Sequence, residues 1–189
     1  VKLAEGTYTL PALNNKDLTV VGTKDTVIDM VNKVNNANSV AFEGVTVNFG
    51  SEHYKGFIAK AVYKNCVING FMTTYGDATF ENCTFTGESG KYAINFYGGK
   101  DFTLTNCHFY GVDRNVYIYQ ETLDSDKNVT FNNCDFHMSA TDTTKNKSAI
   151  MLNSPVAFAG YKYNVIINNC TAEGVNTTAA ENIAGNTNY

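Results

Sequence analysis

The sequence predicts an all-β chain wound into a parallel solenoid of about seven to eight coils, with three short strands to a coil. Three observations predict it. A motif of the form x-Asn-Cys-x-Phe recurs at Asn65-Cys66, Asn82-Cys83, Asn106-Cys107, Asn133-Cys134 and Asn169-Cys170, and two degenerate copies carry glycine in the asparagine slot, at Gly22 and Gly44. Aligned on that slot, the copies lie 22, 21, 17, 24, 27 and 36 residues apart, as expected where coils share a core and differ in their loops. Around each motif, apolar and polar residues alternate over short runs, which is the period of a half-buried strand. The composition agrees: 12 Tyr, 12 Phe and 15 Gly with only 2 Pro suit short strands joined by tight turns.

The coil from Lys91 to Gly111 sets the template. Tyr92–Tyr97 alternates and reads as a first strand, and Gly98-Gly99-Lys100-Asp101 as a turn. Phe102–Thr105 is a second strand, with Phe102 and Leu104 inward. Asn106 is a one-residue corner, because asparagine tolerates the left-handed conformation a corner needs; Gly22 and Gly44 are read the same way. Cys107-His108-Phe109 is a third strand, with Cys107 and Phe109 inward and His108 outward. The other third strands are Val45–Val47, Cys66–Ile68, Cys83–Phe85, Cys134–Phe136 and Cys170–Ala172. Further first strands are Phe71–Thr74, Val116–Tyr119 and Ala149–Leu152, and Ile183 starts one more. The stacked asparagines should form a side-chain ladder.

The five cysteines share one inward slot. Stacked coils hold such side chains parallel and about 4.8 Å apart, which is not disulfide geometry. Their spacings are not those of a zinc site either. All five are expected to be reduced and buried, as small apolar residues of the core.

The opening Val1–Leu10 with Gly6-Thr7-Tyr8, followed by Leu18-Thr19-Val20-Val21-Gly22, and the three-strand coil with its asparagine corner resemble the pectate-lyase-like proteins. The resemblance covers the whole chain and implies a right-handed parallel β-helix. The short coils look most like β-helix modules of large bacterial surface proteins and adhesins. Fold alone does not imply function here, since lyases, hydrolases, tailspikes and adhesins share it. Residues 1–189 are read as one domain, a piece of a longer protein.

In proteins of that kind, ligands lie along the first sheet between its edge loops. Here the long connections, residues 121–127, 139–147 and 154–163, all flank that sheet. Its outward positions include Asn95, Tyr97, Tyr117, Tyr119, Ala149, Met151 and Asn153, with Tyr161 and Tyr163 in the loop beside them. Aromatic rings with polar tips suit sugars; they also occur as ordinary sheet surface or as a protein contact. The candidate ligand-binding residues are Tyr97, Tyr117, Tyr119 and Tyr161, with Arg114 to orient an acidic sugar.

Catalysis is disfavoured. A lyase of this fold needs carboxylates for calcium and a basic residue, and an inverting hydrolase needs two carboxyls about 6.5–9.5 Å apart. The outward first-strand positions carry no carboxylate, and Asp113 and Glu121 border one strand at opposite ends, about 20 Å apart. No catalytic residue, cofactor or metal is expected. His53, His108 and His137 form no ligand set, and Asp124-Ser125-Asp126 is only a fragment of a calcium loop. The net charge of −4 and the single arginine, Arg114, give no footprint for nucleic acid. No apolar run is long enough to span a bilayer.

The function expected is therefore a non-catalytic binding module of a secreted or cell-surface bacterial protein. Its partner would be an extracellular polysaccharide, or a host surface glycan or protein. The alternatives are a lyase or hydrolase acting on uronate-rich polysaccharide, and a structural stalk.

Overall fold

The computed structural model describes residues 1–87, 92–111, 114–119, 123–138, 148–153 and 160–174. The loop 139–147, most of 154–163, Asp113, Glu121 and the strand expected from Ile183 lie outside these residues.

Every regular element described is a strand. In chain order they are β1 Gly6–Leu10, β2 Lys16–Val21, β3 Thr26–Met30, β4 Val34–Glu43, β5 Thr46–Lys64 and β6 Val67–Thr74. There follow β7 Ala78–Glu81, β8 Thr84–Thr86, β9 Tyr92–Tyr97, β10 Phe102–Thr105, β11 His108–Gly111 and β12 Arg114–Tyr119. The last are β13 Lys127–Asn132, β14 Asp135–Met138, β15 Ser148–Asn153, β16 Tyr163–Asn168 and β17 Thr171–Glu173. All pairings are parallel, and each strand pairs with its equivalents one coil before and after, so three faces build up. The first sheet carries β6, β9, β12 and β15. The second runs β2, β4, β5, β7, β10, β13 and β16. The third runs β1, β3, β5, β6, β8, β11, β14 and β17. β5 turns through all three faces: Thr46–Asn48 lies on the third sheet, Lys55–Phe57 on the first and Ala61–Lys64 on the second.

The asparagine corners follow from backbone sterics. Asn65, Asn82, Asn106, Asn133 and Asn169 have φ between 51° and 53°, the left-handed region that asparagine visits at low cost. Three of the carboxamides then bond to the corner below: Asn82 Nδ2 to Asn65 Oδ1 at 3.2 Å, Asn106 to Asn82 at 3.1 Å, and Asn133 to Asn106 at 3.2 Å. Gly44 fits the same rule with φ 70°. Gly22 does not, which corrects the expectation. Its φ is outside the left-handed region, and glycine is needed because a Cβ there would meet Thr26 Oγ1 at 2.7 Å and Val45 Cγ1 at 2.9 Å.

Inward residues form one continuous column. Phe42 stacks on Tyr63 at 5.4 Å and Tyr63 on Phe80 at 4.8 Å. On the third sheet Phe85, Phe109 and Phe136 stack at 4.6 and 5.0 Å. The cysteines are all free thiols. Each donates to the carbonyl two residues earlier, as Cys66 to Lys64 O at 3.2 Å. Hydrogen bonds with neighbouring thiols, and burial, push the Cys83 and Cys134 thiols far up. Four cysteines are buried, but Cys170 is half-buried, contrary to expectation. It sits at the last described coil, where the inward Ile167 is also 55 % exposed.

A tyrosine groove on the first sheet

The outward face of the first sheet holds a groove of about 380 Å³ lined by Tyr54, Tyr75, Tyr92, Asn95, Tyr97, Tyr117 and Tyr119. Strand register brings these residues together. Tyr117 lies beside Asn95 and Tyr119 beside Tyr97 on β12 and β9, while Thr73 of β6 flanks Asn95 on the other side. Residues separated by whole coils in sequence therefore become neighbours one rung apart.

The rings form two short columns. Tyr92 stacks on Tyr117 at 5.3 Å and Tyr97 on Tyr119 at 5.5 Å, each pair within 10° of parallel. Tyr75 closes the second column edge-on to Tyr97 at 5.5 Å. Below the first column, His53 stacks on Phe71 at 5.4 Å, and its Nδ1 lies 3.3 Å from the Tyr92 hydroxyl. Such ring pairs contribute about 0.5–1.5 kcal/mol each beyond the area they bury. Because the rings turn faces toward one another, a ligand in the groove meets ring edges and phenol tips more than open ring faces.

Several of the polar tips are held. Asn153 Nδ2 donates to the Tyr117 hydroxyl at 2.6 Å, and the Tyr75 hydroxyl donates to Tyr54 O at 3.1 Å. Burial, then the neighbouring Tyr97 and Tyr54, raise the Tyr75 phenol above its ordinary 10.0. Tyr54 itself has φ 68°, a conformation that costs a bulky residue strain and that gathers at functional sites. At the floor, Asn95 is only 2 % exposed, and its Oδ1 has no hydrogen-bond partner; the same holds for Thr73 Oγ1.

Of the residues expected from sequence, Tyr97, Tyr117 and Tyr119 lie together in the groove. Tyr161 is 44 % exposed and is not among the residues lining it. Arg114 lies beside Tyr92 in register, and its side chain is outside the described residues. Sequence reasoning missed Tyr54, Tyr75 and Tyr92. Tyr75 follows its strand, Tyr54 sits in a left-handed kink within β5, and Tyr92 opens its strand; alternation counts none of these positions reliably. Tyr54 carried one usable signal, as a tyrosine in a polar segment bounded by Gly50 and Gly56.

Other candidates resolve into structural contacts. Asp124 pairs with Lys127 at 3.1 Å, and Asp126 accepts a bond from the Lys162 amide at 2.8 Å. The Lys127 hydrogen bond holds the Asp124 carboxyl below its usual range. On the third sheet Asp135 bridges His108 and His137, and His137 also meets Glu173 at 3.3 Å and stacks on Tyr110 at 5.0 Å. Among the described residues no group of three or more His, Cys, Asp or Glu side chains is placed to hold a metal ion, and no helix is long and apolar enough to cross a membrane. A second hollow, of about 280 Å³, is lined by Phe136, Ile150, Ile167 and Cys170 and lies at the last described coil.

Coils of three parallel strands around a single core, with asparagine corners and a groove on the first sheet, define a parallel β-helix. The chain belongs to the family of right-handed β-helix regions, which matches residues 34–188. Comparison with curated proteins and with solved structures finds no match.

Proposed function

We propose that this chain is a non-catalytic binding module of an extracellular or cell-surface bacterial protein and that its tyrosine groove holds a glycan. The observation that carries the reading is the convergence of six tyrosines, drawn from successive coils, around one buried asparagine. Amphipathic rings at fixed spacing offer apolar edges and hydroxyls together, which matches the mixed surface of a sugar chain. The rungs repeat along the rod axis, and so do the residues of a polysaccharide laid along it. The kink at Tyr54 supports the reading, since strain of that kind is kept where it positions a side chain.

Among the described residues no carboxylate lines the groove, so paired-carboxyl chemistry is not assigned to it. The test is a glycan array run beside assays for unsaturated uronates and for new reducing ends. Binding without turnover is the expected result. Turnover of a uronate-rich polysaccharide would establish an enzyme instead, and a blank across glycans and host proteins would favour a stalk.

A further inference from the structure

We infer that the groove selects neutral, hydroxyl-rich sugars over uronates and that Asn95 is its specificity-determining residue. The inference rests on the glycan reading above and names the ligand class of the same site.

The first ground is the floor. Asn95 lines the groove and is 2 % exposed, yet its Oδ1 accepts no hydrogen bond. Thr73, its neighbour in register, is fully buried, and its Oγ1 also has no partner. A buried acceptor without a donor costs free energy in the unliganded protein, and a ligand that supplies the donor recovers it. A sugar hydroxyl supplies one. A sugar that presents a carboxylate at this position has no proton to donate there and would set two acceptors face to face against Oδ1.

The second ground is the wall. The described lining is six tyrosines and one asparagine, with no lysine, arginine or histidine to compensate a bound anion. The whole chain carries a net charge of −4, which adds no attraction. An acidic sugar entering here would lose hydration without a counter-charge from the described lining.

The experiment compares neutral gluco- and galacto-oligosaccharides with oligogalacturonides of matched length, by calorimetry on the full chain and on Asn95→Leu. Leucine repeats the branching of asparagine without its polar atoms. Neutral sugars should bind at least about tenfold more tightly than uronates. Asn95→Leu should weaken neutral binding about tenfold, one hydrogen bond's worth, without lowering the midpoint of thermal unfolding, because it removes an unpartnered acceptor. If the leucine variant fails to fold, Asn95→Ala serves for the affinity comparison. Tighter binding of uronates, lost in Arg114→Gln, would overturn the inference and leave the glycan reading standing. Neutral binding untouched in a folded Asn95 variant would overturn the role of Asn95. No binding of either sugar class would overturn both readings together.

Discussion

A buried tyrosine and an exposed corner asparagine show how single residues set this protein's stability. Tyr63 is fully buried between Phe42 and Phe80, and its hydroxyl has no partner. Tyr63→Phe keeps the stack and removes the orphan group, so it should stabilise the protein by about 1 kcal/mol in urea unfolding. Burial foremost, with Cys66 and Cys83 adding, holds the Tyr63 phenol well above its ordinary 10.0. The unfolded chain therefore loses this proton first as pH rises. The Tyr63 contribution is intact below about pH 10 and declines above it, and the Phe variant should lose stability less steeply on the alkaline side. At the corners, Asn106 combines φ 52° with a ladder bond in each direction. Asn106→Ala should cost about 1–2 kcal/mol more than Asn106→Gly, because alanine alone meets the left-handed penalty. Equal losses in denaturant melts would show that the ladder, not the backbone, sets the cost.

At the scale of elements, the inward and outward sides of one strand should respond very differently. Phe109 on β11 is stacked between Phe85 and Phe136 with no exposed surface, so Phe109→Ala should cost about 3–5 kcal/mol. His108 beside it is half-exposed and paired with Asp135, so His108→Ala should cost under about 1 kcal/mol. The strands themselves were legible because period-two alternation and a fixed corner survive in the coils from Asn65 to Cys134: Phe102, Leu104, Cys107 and Phe109 all point where alternation places them. The third strands begin one residue after each cysteine rather than on it, within the usual uncertainty of strand ends. Less legible was the first-sheet strand inside β5, because Gly50 and Tyr54 break the alternation there with left-handed kinks. Gly22 looked like a left-handed corner and is instead a close-packing position, a distinction that only the neighbouring Thr26 and Val45 reveal.

At the scale of the whole molecule, one core column runs through the described coils, and its thiols report on it together. Ellman titration of the native protein should find Cys66, Cys83, Cys107 and Cys134 protected and Cys170 more reactive, with all five titrating in denaturant without reductant. Fast reaction of all five before unfolding would mean that the column is open. The groove was legible only in part, for the same geometric reason. Tyr97, Tyr117 and Tyr119 follow strand alternation, whereas Tyr54, Tyr75 and Tyr92 reach the groove from kinks and strand ends. The orphan oxygen of Asn95 is a property of packing that no spacing encodes.

The central claim is that this groove is where a glycan binds, and the chain lends itself to a direct measurement because it has 12 tyrosines and no tryptophan. Its intrinsic fluorescence is tyrosine emission alone. Titration with an array-selected oligosaccharide should change that emission, and Tyr117→Ala with Tyr119→Ala should reduce affinity at least about tenfold, since both rings line the groove. Affinity left unaltered in a folded double variant would contradict the claim and place the binding surface elsewhere on the rod.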